Sequence, residues 1–138
     1  MKISTGSVEL NDQFLADVLT TAVEGGITYW ARADRVIRAG SDFRRDLDDL
    51  SVVEVVAVED AETGELFGDV TLPVVARGFQ ALLSGDVQVG GEILGYLHAA
   101  VKEIRRGGEG AQFAAGEIDA SAADCIIQAG LLGEIIYG

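Results

Sequence analysis

The chain has 138 residues, of which 49% are hydrophobic and 24% charged, and its formal net charge is −13 at pH 7. This composition excludes a disordered chain and predicts a single globular domain over residues 1–138. The negative charge also excludes a typical nucleic-acid-binding protein, which needs a basic surface to neutralise phosphates.

The first predicted element is a helix over residues 12–24, preceded by a short extended segment over residues 7–10. Asn11 is typical of a helix N-cap, and Gly25 is placed to take the left-handed conformation that ends many helices. Pairs of apolar residues four positions apart give this helix one hydrophobic face. The pairs are Phe14 and Leu15, Val18 and Leu19, and Ala22 and Val23.

The next element is predicted to be a strand from Ile27 to Arg38, because apolar and polar side chains alternate there. If Tyr29 faces the core, Trp30 projects on the same exposed side as Arg32. The alternative is that Trp30, the only tryptophan, anchors the core beneath the helices.

Basic and acidic residues are segregated around this strand. Residues 27–45 hold five of the eight arginines and have a net charge of +3, whereas residues 46–69 hold nine carboxylates and no lysine or arginine. Two interpretations are open. The segments are neighbouring strands whose charges pair across the sheet, or the arginines form a functional patch.

A β-hairpin is predicted over residues 52–72, after a polar loop or short helical turn at residues 40–50. Residues 52–58 form a nearly continuous β-branched run, which is typical of a central strand. A turn at residues 60–64 then brings the chain back as a third strand over residues 66–72.

Two helices follow the hairpin. Pro73 suits the first turn of one helix, which ends at residues 84–86. Gly90 and Gly91 open the next helix, which carries cationic residues near its C-terminus, where the helix dipole favours them. A glycine-rich loop over residues 107–116 comes after it.

The last predicted helix is capped by Asp119 or Ser121, and its apolar stripe continues to Ile136. A C-terminus this apolar is predicted to pack in the core or in a subunit contact. The order of elements is therefore α-β-β-β-α-α-α. We predict an α+β fold in which a small three-stranded antiparallel sheet packs against about four helices.

The sequence lacks a catalytic or metal-binding signature. His98, the only histidine, lies among apolar residues of a predicted helix and is interpreted as an edge-of-core residue. Cys125, the only cysteine, is interpreted as a small buried hydrophobic residue. One histidine and one cysteine are a poor match to zinc's usual ligands, and phosphate-binding and nucleophile motifs are missing. We therefore predict a protein that is not an enzyme and holds no metal or cofactor.

Neither a signal peptide nor a membrane-spanning stretch is evident, so the predicted location is the cytoplasm.

What remains is binding chemistry. Trp30 and Arg32 on one strand face, with other arginines near them, are suited to stacking on a planar ring and holding phosphate or carboxylate. The predicted ligand- or partner-binding residues are Tyr29, Trp30, Arg32, Arg38, Arg44 and Arg45.

The two ends of the chain resemble a family of short, uncharacterised proteins from phages and prophages of high-GC Gram-positive bacteria. In that family a first helix ends E-G-G-x-x-Y-W, which corresponds to residues 24–30. The family's chain closes with an aspartate-capped helix of the form D-A-x-x-x-D-x-x-x-Q-x-x-L-F-G-E-x-x-Y-G, which corresponds to residues 119–138. Gln128, Gly133, Glu134 and Tyr137 are in register, and Leu132 stands where the family often has phenylalanine.

The family has no assigned activity, so the resemblance implies a viral accessory protein that acts by binding. We predict a non-catalytic homo-oligomer in the host cytoplasm that inhibits a host or immune-defence factor through protein contact. The alternatives are a sponge that sequesters a nucleotide-derived defence signal and, third, a small hydrolase centred on His98. No direct contact with nucleic acid or membrane is predicted. The acidic surface imitates a nucleic-acid backbone or engages a basic partner, or it only confers solubility.

Overall fold

The computed structural model describes residues 3–5, 8–37, 43–44, 55–108 and 113–138, with side chains for residues 10–33, 55–108 and 113–138. The strands in these ranges are β1 (Ile3–Thr5), β2 (Val8–Leu10), β3 (Ala31–Ile37), β4 (Phe43–Arg44), β5 (Val55–Asp60) and β6 (Leu66–Thr71). The α-helices are α1 (Asp12–Thr21), α2 (Leu72–Ser84), α3 (Gly91–Arg106) and α4 (Ala120–Leu132). A π-helical turn (Ala22–Gly26) extends α1, and a 3-10 turn (Ala114–Glu117) precedes α4.

The main sheet is antiparallel, with the strand order β4-β3-β5-β6. Its three longer strands, β3, β5 and β6, are the predicted three-stranded sheet, and the β5–β6 pairing confirms the predicted hairpin. The two-residue strand β4 lies where the sequence predicts a loop or helical turn. Strands β1 and β2 form a separate antiparallel hairpin, which includes the predicted extended segment before α1. The α+β class and the predicted order of elements are thus confirmed.

The turn between β5 and β6 is built by Asp60. Its Oδ1 accepts hydrogen bonds from the backbone N–H groups of Glu62 at 2.7 Å and Thr63 at 3.0 Å. These bonds favour the ionised carboxylate and hold the pKa of Asp60 below its ordinary value. Gly64 closes the turn with φ +73°, a conformation that glycine adopts without the steric cost of a Cβ.

Most predicted helix ends are confirmed by their caps. The Asn11 side chain accepts from the N–H of Phe14 at the start of α1, and the Asp119 carboxylate accepts from the N–H of Ala122 at the start of α4. Pro73 lies in the first turn of α2, and Gly85 ends that helix in the left-handed conformation. The chain also enters α3 through Gly90 as predicted.

Two helix ends differ from the prediction. Gly25 does not take the left-handed conformation, because the chain continues through the π-helical turn and the N–H of Ile27 bonds to the carbonyl of Ala22 at 3.0 Å. Helix α4 does not continue to Ile136. Gly133 ends it with φ +79°, and residues 134–138 leave the helix.

The core lies where α1, α2 and α4 pack together and against the sheet. Phe14 of α1 meets Phe79 of α2 edge to face, with ring centroids 5.5 Å apart. Helices α2 and α4 cross with their backbones in direct contact: a Cβ at Gly78 would overlap the carbonyl oxygen of Ile126, and a Cβ at Gly130 would overlap that of Val74. Only glycine permits this approach, which fixes α4 against α2 and so positions the site described next.

Candidate functional site

The Tyr29–Trp30 pair lies in a turn and not in the predicted strand. The N–H groups of Trp30 and Ala31 both bond to the carbonyl of Ile27, and β3 begins only at Ala31. This turn reverses the predicted exposure of the two aromatic residues. Trp30 is 4% exposed and belongs to the core, whereas Tyr29 is 56% exposed.

The prediction that Trp30 shares a solvent-exposed face with Arg32 is therefore wrong, and the core-anchor alternative is the one that the structure shows. The predicted strand exists, but it begins at Ala31 and not at Ile27. Alternation over the four residues 27–30 cannot distinguish a strand from a tight turn. Arg32, in β3, is exposed as predicted. A planar ligand cannot stack on Trp30, because the indole is covered by the protein's own side chains.

A buried carboxylate, Asp124 of α4, holds both aromatic residues. Its Oδ1 accepts from the Trp30 indole Nε1–H at 2.8 Å, and its Oδ2 accepts from the Tyr29 hydroxyl at 2.6 Å. The Nε2 of Gln128, one turn further along α4, donates to Oδ1 at 2.9 Å. Three donors therefore surround a carboxylate that is 7% exposed, which offsets the cost of burying its charge.

Gln128 connects this carboxylate to the C-terminal segment. The fully buried amide donates through Nε2 to the carbonyl of Tyr137 at 3.0 Å. Its Oε1 accepts from the N–H groups of Ile136 at 2.8 Å and Tyr137 at 2.9 Å. The hydroxyl of Tyr29 also lies 3.2 Å from the Tyr137 carbonyl. We call Tyr29, Trp30, Asp124, Gln128 and Tyr137 the Asp124 network.

Aromatic packing completes the network. The rings of Trp30 and Tyr137 are stacked, and Phe67 of β6 meets Trp30 edge to face with centroids 5.6 Å apart. The backbone of Gly26 packs closely against the start of α4. A Cβ at this position would lie 2.6 Å from the carbonyl oxygen of Ala120. The two terminal motifs thus meet in space, and their polar and aromatic residues hold the first turn and the C-terminus together.

Two ionisable groups beside Asp124 are kept neutral. Burial, and then the hydrogen bond and negative charge of Asp124, raise the pKa of Tyr29 well above its ordinary value of 10.0. Burial raises the pKa of Cys125 to about 11, and the nearby carboxylates of Asp124 and Asp119 add to the effect. Cys125 is only partly buried, so it is not the fully buried residue that the sequence predicts. A thiol with a raised pKa is nevertheless a poor nucleophile near neutral pH.

The predicted arginines do not join this network in the described structure. Arg32 pairs with Glu59, which lies directly opposite it in the β3–β5 register. This pair agrees with the interpretation that charges of neighbouring strands pair across the sheet. Arg38 and Arg45 lie outside the described residues, and Arg44 belongs to β4 with its side chain outside them. Of the predicted residues whose side chains are described, the structure brings together Tyr29 and Trp30, whereas Arg32 pairs with Glu59.

His98 is exposed on α3, so it is not the edge-of-core residue that the sequence predicts. It lines an open groove of about 680 Å³ between α2 and α3. The groove also contains Arg77 and Arg105, which the sequence analysis did not select. Within each helix, the lining residues recur at i, i+3 and i+7, and this spacing indicates one helix face. The sequence does not show that the two faces meet in one groove.

Within the described residues, no group of three or more His, Cys, Asp or Glu side chains is placed to hold a metal ion. In the same part of the chain, every helix is too short or too polar to cross a membrane. The side chains of the Asp124 network offer hydrogen bonding and aromatic contact. Comparisons of the chain with protein-family models, with curated proteins and with solved structures give no significant match.

Proposed function

We propose that this protein is a phage accessory protein that acts by binding and not by catalysis, and that it inhibits a host or immune-defence factor in the host cytoplasm through protein contact. The observation that carries this proposal is that Tyr29 is exposed to solvent but held in one position by a hydrogen bond. Tyr29 is 56% exposed, whereas its hydroxyl donates at 2.6 Å to the buried carboxylate of Asp124. An exposed aromatic side chain that is already fixed loses little conformational entropy when a partner covers it.

The surroundings of Tyr29 suit a protein partner. Ile136 is 56% exposed and lies in the C-terminal segment whose Tyr137 carbonyl is 3.2 Å from the Tyr29 hydroxyl. Tyrosine is enriched in the energetically dominant part of protein interfaces. The exposed carboxylates of Glu24 and Glu134 belong to the same two segments. We expect a partner surface with an apolar centre and basic residues around it, which the overall charge of −13 would attract from a distance.

Affinity capture from the lysate of a bacterial host tests this proposal. The bait is the full chain, compared with Ile136→Asp, which places a charge on the proposed surface. The substitution keeps the backbone N–H of residue 136 that donates to Gln128. Phe113→Asp is the matched control, because Phe113 is also an exposed apolar residue but precedes the 3-10 turn. We expect a stoichiometric partner with the wild type and the control, and its loss with Ile136→Asp. Recovery of the same partner by all three baits, or of no partner, would contradict the proposal.

The homo-oligomer stays a prediction. The C-terminal segment that motivated it packs on the protein's own core through Tyr137, so its apolar residues do not by themselves require a subunit contact. Light scattering during size-exclusion chromatography measures the mass directly. A mass equal to one chain of 14.5 kDa would remove the prediction without affecting the proposed partner surface.

A further inference from the structure

The groove between α2 and α3 has the composition of a site for a small anion. Three residues of α2 line it at positions i, i+3 and i+7, namely Arg77, Gln80 and Ser84. Three residues of α3 line it with the same spacing, namely His98, Val101 and Arg105. Positions three and seven apart lie on one face of a helix, so each helix presents a continuous stripe to the groove.

The charge of the groove is opposite to that of the protein. Arg77 and Arg105 contribute two positive charges and Asp86 one negative charge, so the lining has a net charge of +1 with His98 neutral. The whole chain has a net charge of −13. An anion approaching this protein is repelled by most of its surface, so a local pair of guanidinium groups has to supply the attraction. Guanidinium groups match the oxygen geometry of carboxylate and phosphate.

Arg77 is positioned by the fold. Its Nη2 donates to the carbonyl of Gly130 at 2.9 Å and its Nε lies 3.3 Å from the same oxygen. That carbonyl belongs to the last turn of α4, where helical carbonyls lack intrahelical partners. These two bonds use two of the five N–H donors of the guanidinium. The side chain is therefore fixed beside the groove and needs little ordering to bind a ligand.

The remaining lining residues define the size and character of the ligand. Ala81, Leu83 and Val101 supply apolar contacts, whereas Gln80 and Ser84 are polar. The Ser84 hydroxyl already donates to the carbonyl of Ala81 at 3.2 Å. The volume of about 680 Å³ lies within the range of small-molecule sites. We propose that the α2–α3 groove binds a small organic anion, in which a phosphate or carboxylate meets Arg77 and Arg105 and an apolar body lies on Leu83 and Val101. This site is separate from the proposed partner surface at Tyr29.

Titration of the full chain with phenyl phosphate and benzoate, followed by the NMR shifts of the Leu83 and Val101 methyl groups, tests the proposal. We expect saturable binding of at least one probe below about 10 mM, with phenol binding at least about tenfold more weakly because it lacks the charge. Tighter binding of phenyl phosphate identifies a phosphate ligand and tighter binding of benzoate a carboxylate ligand. Either order supports the proposal.

Two neighbouring arginines provide a charge-matched comparison. Arg105→Gln changes the groove, whereas Arg106→Gln changes the net charge equally at an exposed residue outside the lining, beside Glu103. We expect Arg105→Gln to weaken binding about tenfold or more and Arg106→Gln less than about twofold. Equal weakening by both variants would show only a long-range charge effect and overturn the proposal. So would the absence of saturation with both charged probes, or an unchanged affinity in Arg105→Gln.

Discussion

The indole of Trp30 lies parallel to the phenol ring of Tyr137, with ring centroids 4.7 Å apart and an angle of 5° between the planes. This contact joins the first turn after α1 to the next-to-last residue of the chain. It explains why the apolar C-terminus packs on the protein although helix α4 has already ended at Leu132.

Tyr137→Ala is expected to destabilise the protein by about 2 kcal/mol, because it removes the stacked ring from Trp30. The loss also uncovers the indole, so the tryptophan emission should move to longer wavelength and become more accessible to iodide. Urea denaturation measures the first effect and fluorescence quenching the second. Ile136→Ala is the control, since its exposed side chain should cost less than about 0.5 kcal/mol. Equal stability of the two variants would contradict the packing role of Tyr137.

Asp124→Ala is expected to destabilise the protein by about 3 kcal/mol or more, because it leaves the donors of Tyr29, Trp30 and Gln128 without their acceptor. Asp124→Asn should also destabilise it, since one carboxylate oxygen is replaced by a donor that faces other donors. Thermal unfolding followed by circular dichroism checks both values. Glu134→Gln, at an exposed carboxylate, should change stability by less than about 0.5 kcal/mol. An unfolding midpoint of Asp124→Ala equal to that of the wild type would show that the network contributes nothing to stability.

Gly78→Ala and Gly95→Ala are expected to have opposite effects, although both glycines lie within helices. At Gly78 the new methyl group overlaps the backbone of α4, so we expect a loss of about 3 kcal/mol or more. At Gly95 no atom lies within 4 Å of the new position, so the higher helix propensity of alanine should stabilise α3 by about 0.5–1 kcal/mol. Chemical denaturation of the two variants under one set of conditions gives the comparison. A similar shift for both would contradict the close crossing of α2 and α4.

Stability should fall as the pH rises above about 9. The pKa of Cys125 is raised from its ordinary 9.0 to about 11, and that of Tyr29 is raised above 10.0. Both groups therefore keep their protons in the folded state at pH values where the unfolded chain releases them. Since the folded state then binds more protons than the unfolded state, their contribution is complete below pH 9 and is lost as the pH passes through the folded pKa values.

The urea midpoint measured from pH 8 to pH 11 checks this pH dependence. Tyr29→Phe and Cys125→Ala should each make the decline shallower, because each removes one of the two groups. A decline that is identical in the wild type and in both variants would assign the effect to other residues.

Several local elements could be predicted from the sequence because their causes lie within a few residues. The β-branched run before Asp60 predicts the β5–β6 hairpin, and Asn11, Asp119 and Gly85 mark helix ends through bonds or conformations that involve only near neighbours. Periodicity over ten or more residues then gives the helices and the α+β class. The turn at Tyr29 differs from the predicted strand, since the four residues between Gly26 and β3 carry too little periodicity to distinguish the two.

The sequence by itself determined the four α-helices and the β5–β6 hairpin, because these elements depend on propensity, caps and the spacing of apolar residues. Only the tertiary structure decided that Trp30 points inward and Tyr29 outward, because the deciding contact is a carboxylate 94 positions away in the chain. Tertiary structure likewise brought Arg77 and Arg105 to one groove from two helices. Such pairings depend on how α2 packs against α3 and α4, which no single segment encodes.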